Sequence, residues 1–396
     1  MERNVELIDG ELIAKSKAYM SRHSVDGWLI YGYRQSNPFL PNIVGNTSMV
    51  TRPVFFFIPA NGDPTLLVHH VDIGRFSDLI CDKLDYTSHQ SLLDQLSALV
   101  TGCMRIAMEY SPMAMLPRIS VVDGGTMDMI RSLGVEIISS EDIAQHAMQQ
   151  WNAEQLESHK DAANKLSLIV KESFDYVGSR LGIGVSELDV MQFIQERFQE
   201  ENLLAYDGPV VAVDAHSSDP HYLPDRDKSL TIQQGSWILI DMWAKGFGNR
   251  DMFADITWVG YVGKHLPTRY QDAFNLVILA RDTALAFLQE CCIKGEYPQG
   301  WQVDSIARDL IMKWGYGPYF THRLGHSLGS DVHGEAVNLD GFETYDTRTL
   351  TPNIGVTIEP GLYMKDFGMR SEIDVFVAES GVIVTTDVQR EVVLIN

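Results

Sequence analysis

The sequence predicts an α+β protein in two parts: a smaller α/β domain over residues 1–150 and a larger catalytic domain over 151–396. Three observations carry this reading. The chain has 396 residues, too many for one typical domain. Its first part alternates short apolar runs with amphipathic stretches, as layered helices and strands do. Its second part sets long stretches of helical periodicity between β-prone runs that end in carboxylates.

In the first part, Glu11 to Arg22 has helical spacing of Leu12, Ile13, Tyr19 and Met20. Trp28 to Tyr31 is a buried-strand candidate. Val54 to Ile58 and Thr65 to Val68 flank P-A-N-G-D-P, the composition of a hairpin turn. Arg105 to Glu109 and Val135 to Ile138 are further strands, with a helix over Thr126 to Leu133 stopped by Gly134. No G-x-G-x-x-G stands at a strand–helix junction, so no dinucleotide site is expected. The pair His69-His70 lacks a surrounding carboxylate motif and is read as surface or substrate-edge decoration.

The second part begins near Trp151. Asn152 is a good N-cap and Gln155 can reach back to it, opening a helix to about Tyr176. Ser186 and Asp189 cap the next helix, and Tyr270 to Leu288 and Val303 to Trp314 are two more. Strand candidates are Val210 to Val213, Trp237 to Asp241, Asp255 to Val262, Val356 to Ile358 and Ile373 to Ala378. The arrangement expected is helices on a largely antiparallel sheet.

Composition narrows the function. The chain is 45% hydrophobic and 21% charged, enough to bury a sizeable core. A net charge of −22 opposes nucleic acid and anionic membranes as partners. Cys81, Cys103, Cys291 and Cys292 form no C-x-x-C pair, so neither a disulfide framework nor a thiolate zinc site is readable. The opening M-E-R-N-V-E-L-I-D-G has no basic region before an apolar one, and no run nears the roughly 20 apolar residues of a membrane span. A cytoplasmic location is the expectation.

The chemistry gathers late in the chain. Asp241 closes the run W-I-L-I-D, and Asp255 opens D-I-T-W-V-G; the glycine-containing segment between them suits a hairpin that sets the two side by side. A lone carboxylate after four apolar strand residues is costly unless something compensates it. Glu359 in T-I-E-P-G-L-Y and Glu372 in R-S-E-I-D follow, and His326 stands in T-H-R-L-G-H-S-L-G-S-D-V-H-G with His322 and His333. Interleaved glycines argue against the helix that a zincin H-x-x-x-H needs. Four clustered carboxylates would repel one another, and two divalent cations would cancel them. Carboxylates with one imidazole suit Mn²⁺, Co²⁺, Fe²⁺ or Zn²⁺, and a metal pair can acidify a bridging water for hydrolysis.

These residues in this order resemble the pita-bread metallopeptidases, which include methionine aminopeptidase, aminopeptidase P, prolidase and the metal-free creatinase. The resemblance spans roughly 152–396 and, more loosely, the creatinase-like front domain. It implies a pita-bread catalytic domain and two divalent ions, manganese favoured, with Co, Zn or Fe as alternatives. The implied metal ligands are Asp241, Asp255, His326, Glu359 and Glu372, with Asp255 and Glu372 bridging. Glu359 would shuttle a proton, His221 and His333 would meet substrate or oxyanion, and His322 would be a further active-site histidine. Arg370 and Tyr363 would orient the ligands. The implied reaction is hydrolysis by a metal-bridging hydroxide of a peptide with proline at its second position, by an Xaa-Pro dipeptidase or aminopeptidase P acting as a homodimer. A creatinase-like C–N hydrolase and a catalytically silent peptide-binding protein are the alternatives. Two departures stand out. Asp241 and Asp255 are 14 residues apart, wider than the family's usual spacing, which makes Asp251 a rival ligand. Trp243 stands where the family commonly has glycine.

Overall fold

The computed structural model describes residues 10–45 and 50–396. The acidic opening stretch before Gly10 lies outside them. The chain divides into two compact units between Met148 and Gln149.

The first unit is built on a six-stranded mixed sheet. Its strands are β1 (Gly27–Gly32), β2 (Val54–Pro59), β3 (Thr65–His69), β4 (Asp82–Tyr86), β5 (Arg105–Met108) and β6 (Glu136–Ser139), in the order β4-β3-β2-β1-β5-β6. β2 and β3 form the antiparallel hairpin expected across the P-A-N-G-D-P turn. Alternation fixes two cores. Trp28, Ile30, Phe56 and Ile58 pack on one face with Leu12 and Met20 of helix α1 (Gly10–His23). Leu29, Tyr31, Phe55 and Phe57 pack on the other with Leu92 and Leu96 of a helix over His89–Leu99. That helix and the polar strand β4 were not expected: D-K-L-D-Y carries no apolar alternation. The helix after Asp123 starts at Gly124, two residues before the expected Thr126, because the Asp123 carboxylate accepts the Thr126 N–H at 2.9 Å.

The second unit opens on a helix over Ala153–Arg180, followed by Glu187–Glu200. Asn152 with Gln155, and Ser186 with Asp189, close reciprocal capping boxes at their starts. These helices cover one face of a sheet of β7 (Val210–Val213), β8 (Trp237–Ala244) and β9 (Ala254–Val262), which a C-terminal strand, Val393–Ile395, joins in parallel. Ile238, Ile240, Met242 and Ile256 point to that helical face with Leu166, Ile169 and Val170. Trp237, Leu239 and Val259 point inward. A second antiparallel sheet contains Ser327–Leu328, Ile354–Ile358, Ile373–Ala378 and Gly381–Val384. It packs against long helices over Thr268–Lys294 and Gly300–Lys313 through Val356, Ile358, Val375 and Val377. The first of these runs past the expected Leu288 to Gly295, whose left-handed φ of 71° ends it.

The inward face of the first sheet continues past Leu239 to Asp241 and Trp243 on β8, opposite Thr257 and Asp255 on β9. Strand periodicity thus delivers both aspartates to the space between the sheets.

Replacing the cap by Asn152→Ala should lower stability by about 1 kcal/mol, because the Gln155 N–H loses its acceptor. Urea unfolding would check this as a fall in midpoint with unchanged slope; an unmoved midpoint would mean the box contributes nothing.

Candidate active site and metal centre

A cavity of about 790 Å³ opens in the second unit. Asp241, Asp255, His326, Glu359 and Glu372 all line it, as do His221, His322, His333 and Arg370. The 14-residue spacing resolves as a hairpin. Asp251 lies in its loop, where its carboxylate accepts the Gly248 N–H at 2.8 Å, and it is not among the residues lining the cavity. Asp255 stands on β9, buried, directly across from Trp243.

His326 is held from both sides. Its backbone N–H donates to Thr357 Oγ1 at 2.9 Å, and its Nδ1 lies 3.1 Å from the Ser327 carbonyl. A carbonyl only accepts, so Nδ1 carries the proton and Nε2 is left with a lone pair. Nε2 faces Asp255 Oδ2 at 3.5 Å and Glu359 Oε1 at 3.4 Å. Such separations suit ligand atoms sharing one ion at about 2.1 Å. Ligand atoms of Asp255, His326 and Glu372 all lie within 4.8 Å of one another. Asp255 Oδ1 is buried without a hydrogen-bond partner, a costly state for a carboxylate oxygen unless a cation meets it.

Arg370 ties the cluster together. Its Nε donates to Thr257 Oγ1 at 2.9 Å, one Nη to the Tyr363 hydroxyl at 2.8 Å, and the other to Asp241 Oδ2. Thr257 in turn donates to Glu372 Oε2 at 2.7 Å. One guanidinium therefore orients Asp241 directly and Glu372 through a hydroxyl. His322 is locked as well: Nδ1 donates to the Arg323 carbonyl at 2.6 Å, and Nε2 meets the Tyr363 hydroxyl at 2.8 Å. His333 lies edge-on to His326 with ring centroids 4.4 Å apart, and His221 is exposed at the cavity wall.

The electrostatics follow from burial and crowding. Burial, then the neighbouring carboxylates, push Asp255 and Glu372 well above the usual range. Burial also raises Asp241 against the pull of Arg370. Burial opposes ionisation of Glu359 too, but the positive charge of His326, His322, Arg370 and Arg323 outweighs it and holds Glu359 below its ordinary value. Burial pushes His326 down and His322 down to about 4. The donor set fits divalent cations: crowded, buried carboxylates short of positive charge, and one imidazole in the ligating tautomer.

Sequence reasoning missed the residues behind these ligands. Thr257 lay inside a strand run. Asp374, fully buried, accepts the Asp255 N–H at 2.9 Å. His159, on the first long helix, bonds the Phe253 carbonyl at 2.7 Å and Thr385 Oγ1 at 2.6 Å, with Asp374 3.9 Å away. A carboxylate two residues after Glu372, inside an apolar strand run, was a readable signal for Asp374; a helix histidine more than 200 residues away was not.

Added Mn²⁺ should raise the thermal midpoint of the protein. Asp255→Asn should abolish that rise, whereas Asp251→Asn should leave it, as differential scanning fluorimetry would show. The reverse pattern would move the cation site into the hairpin loop.

Comparison with known proteins agrees with this geometry. The family model of metallopeptidase family M24 matches residues 159–379. An uncharacterized peptidase of Staphylococcus epidermidis is 29% identical over 231 residues, 57% of this chain and 60% of that protein. One of Staphylococcus aureus is 30% identical over 216 residues, 54% and 56% of the two chains. The chain thus spans no more than about 60% of the length of these curated relatives. Among solved structures, the dipeptidase PepE from Mycobacterium ulcerans superposes with a TM-score of 0.70 at 21% identity over 97% of both chains. A prolidase from Thermococcus sibiricus gives 0.63 at 21% identity, covering 96% of this chain and 98% of that one. An X-Pro aminopeptidase from Thermotoga maritima gives 0.60 at 22% identity, covering 96% and 99%. The larger unit has the expected pita-bread fold behind a front domain. With more than half of its length matched, including every residue of the carboxylate–imidazole cluster, the chain belongs to metallopeptidase family M24.

Proposed function

We propose that this chain is a dinuclear metal-dependent hydrolase that cleaves peptide bonds preceding proline, as an Xaa-Pro dipeptidase or aminopeptidase P. The observation that carries the reading is the convergence of Asp241, Asp255, His326, Glu359 and Glu372 on one cavity with a buried Asp255 oxygen left unpaired. Those five residues would hold the ions. When bound, two divalent ions lower the pKa of a water toward neutrality and polarise a carbonyl.

The chain's own residues supply the rest. Glu359, ionised at neutral pH, accepts the proton of the attacking water and returns it to the leaving nitrogen. His333 and His221 line the cavity and offer ring N–H groups to the substrate carbonyl and the developing oxyanion. His322 has both ring nitrogens engaged, so it acts by orienting Tyr363 and, through it, Arg370. Arg370 keeps Asp241 and Glu372 aimed into the site.

Proline enters through the names of the structural neighbours, a prolidase and an X-Pro aminopeptidase among them. An Xaa-Pro bond lacks the amide hydrogen by which many peptidases hold their substrate, so a dedicated site is expected for it. Manganese as the preferred ion, a homodimeric assembly and a cytoplasmic location accompany this reading as proposals.

The test is metal analysis of the purified protein with assays on Gly-Pro and on a longer Xaa-Pro-Xaa peptide under added Mn²⁺. Cleavage of the first alone identifies a dipeptidase, and cleavage of the longer peptide an aminopeptidase P. Cleavage of neither would defeat the proposal. Glu359→Ala should lose at least about a thousandfold in kcat, in line with removal of a general base. Its circular dichroism should be unchanged; a variant that keeps activity would remove the proton role from Glu359.

A further inference from the structure

We propose that Trp243 and the apolar residues around it form the subsite for the side chain of the substrate's amino-terminal residue, and that this subsite favours a bulky apolar side chain. The inference rests on the peptidase reading above. It starts from strand register. Trp243 pairs with Asp255 across β8 and β9, so their side chains stand next to each other on the inward face. The indole is fixed there. Its Nε1 donates to Asp207 Oδ1 at 3.1 Å, and a Cβ built on Gly208 would lie 2.7 Å from a ring carbon, so the ring rests directly on the glycine backbone. Trp243 and Val332 pack against the same apolar cluster, and Val210 and Leu223 extend the patch along the cavity wall. Leu223 is 49% exposed. In a cavity otherwise dominated by carboxylates, imidazoles and guanidinium groups, this apolar wall has no chemical role in the reaction. Its apolar surface gains from an occupant that removes it from water.

The direction of the substrate follows from Glu359. This residue, the proposed donor to the leaving nitrogen, accepts from Thr357 of the opposite sheet and faces His326. The leaving half of the substrate therefore lies toward that sheet. The amino-terminal half lies toward β8 and β9, against Trp243. Asp207, which holds the indole, also brings a carboxylate to the same wall, suited to a free α-ammonium group.

The experiment compares kcat/KM for Gly-Pro, Ala-Pro, Leu-Pro and Phe-Pro on the full, manganese-loaded chain. Wild type should prefer Leu-Pro and Phe-Pro to Gly-Pro by about tenfold or more, the scale expected for burying one large apolar side chain. Trp243→Ala should collapse that ratio, chiefly by raising KM for the bulky substrates, and Trp243→Phe should retain part of it. A wild-type ratio near one, or a ratio that Trp243→Ala leaves in place, would overturn the subsite while leaving the peptidase reading intact. Should Trp243→Ala fail to fold, the wild-type ratio and Trp243→Phe decide. Should wild type cleave none of the four, the same ratio is read on the matching Xaa-Pro-Xaa tripeptides; failure on both sets would overturn the peptidase reading, and this inference with it.

Discussion

Charge crowding is the constraint on which this molecule depends. Asp241, Asp255, Glu359 and Glu372 converge in a buried cavity, and each is pushed toward protonation by burial. Desolvating even one carboxylate costs several kcal/mol unless a compensating charge is close. Arg370 supplies part of that compensation, with Asp241, Tyr363 and Thr257 each taking one of its donors. What remains is a deficit of positive charge beside Asp255 and Glu372, whose carboxyls stand well above their ordinary range, with Asp255 Oδ1 unpaired. Divalent cations would meet that deficit, and His326 turns a nitrogen with a free lone pair toward them.

The scaffold makes this costly arrangement persist. β8 and β9 are gripped on one face by the helices over Ala153–Arg180 and Glu187–Glu200, through Ile238, Ile240, Met242 and Ile256. A slip of one residue in either strand would bury its aspartate against Leu166 and Ile169 and expose its isoleucines. Trp237 and Leu239 fix the opposite face in the same way. The carboxylates cannot retreat to solvent without undoing two apolar layers. Behind Asp255, the Asp374 carboxylate receives the backbone N–H, and His159 stands near Asp374 from the helix layer.

Much of this was legible in the chain because strand periodicity writes its facing residues plainly. W-I-L-I-D and D-I-T-W-V-G announce a carboxylate on the inward side of an apolar strand, and the glycines between them announce the hairpin. Asn152 and Ser186 declared their helices by capping chemistry, and both boxes form. Local pattern fails where a role is made by distant partners. Arg370 looked like one orienting residue, yet it serves three acceptors from three segments. Thr257 reads as an ordinary β-branched strand residue until Glu372 and Arg370 are set around it. The parallel pairing of Val393–Ile395 with β9 joins residues more than 130 positions apart, and the short edge strands carry too little apolar alternation to declare themselves. In the first unit, the polar D-K-L-D-Y run pairs as an edge strand for the same reason.

The hairpin between the two aspartates shows how the scaffold separates chemistry from variation. Its extra length is absorbed in the turn, where Asp251 closes the loop on Gly248. Register on both strands is set by the pairs Asp241–Thr257 and Trp243–Asp255, which lie inside the ladder and are untouched by what the loop contains. An insertion there changes the turn and leaves the ligands where they were. A substitution at position 243 does the opposite: it leaves the ladder intact and changes what stands beside Asp255. The same two-residue repeat that delivers Asp241 to the reaction delivers the next inward side chain to the wall of the cavity. A strand that turns a proposed metal-ligand carboxylate into the cavity therefore also sets a wall residue two positions on, and here that residue is an indole held by Asp207.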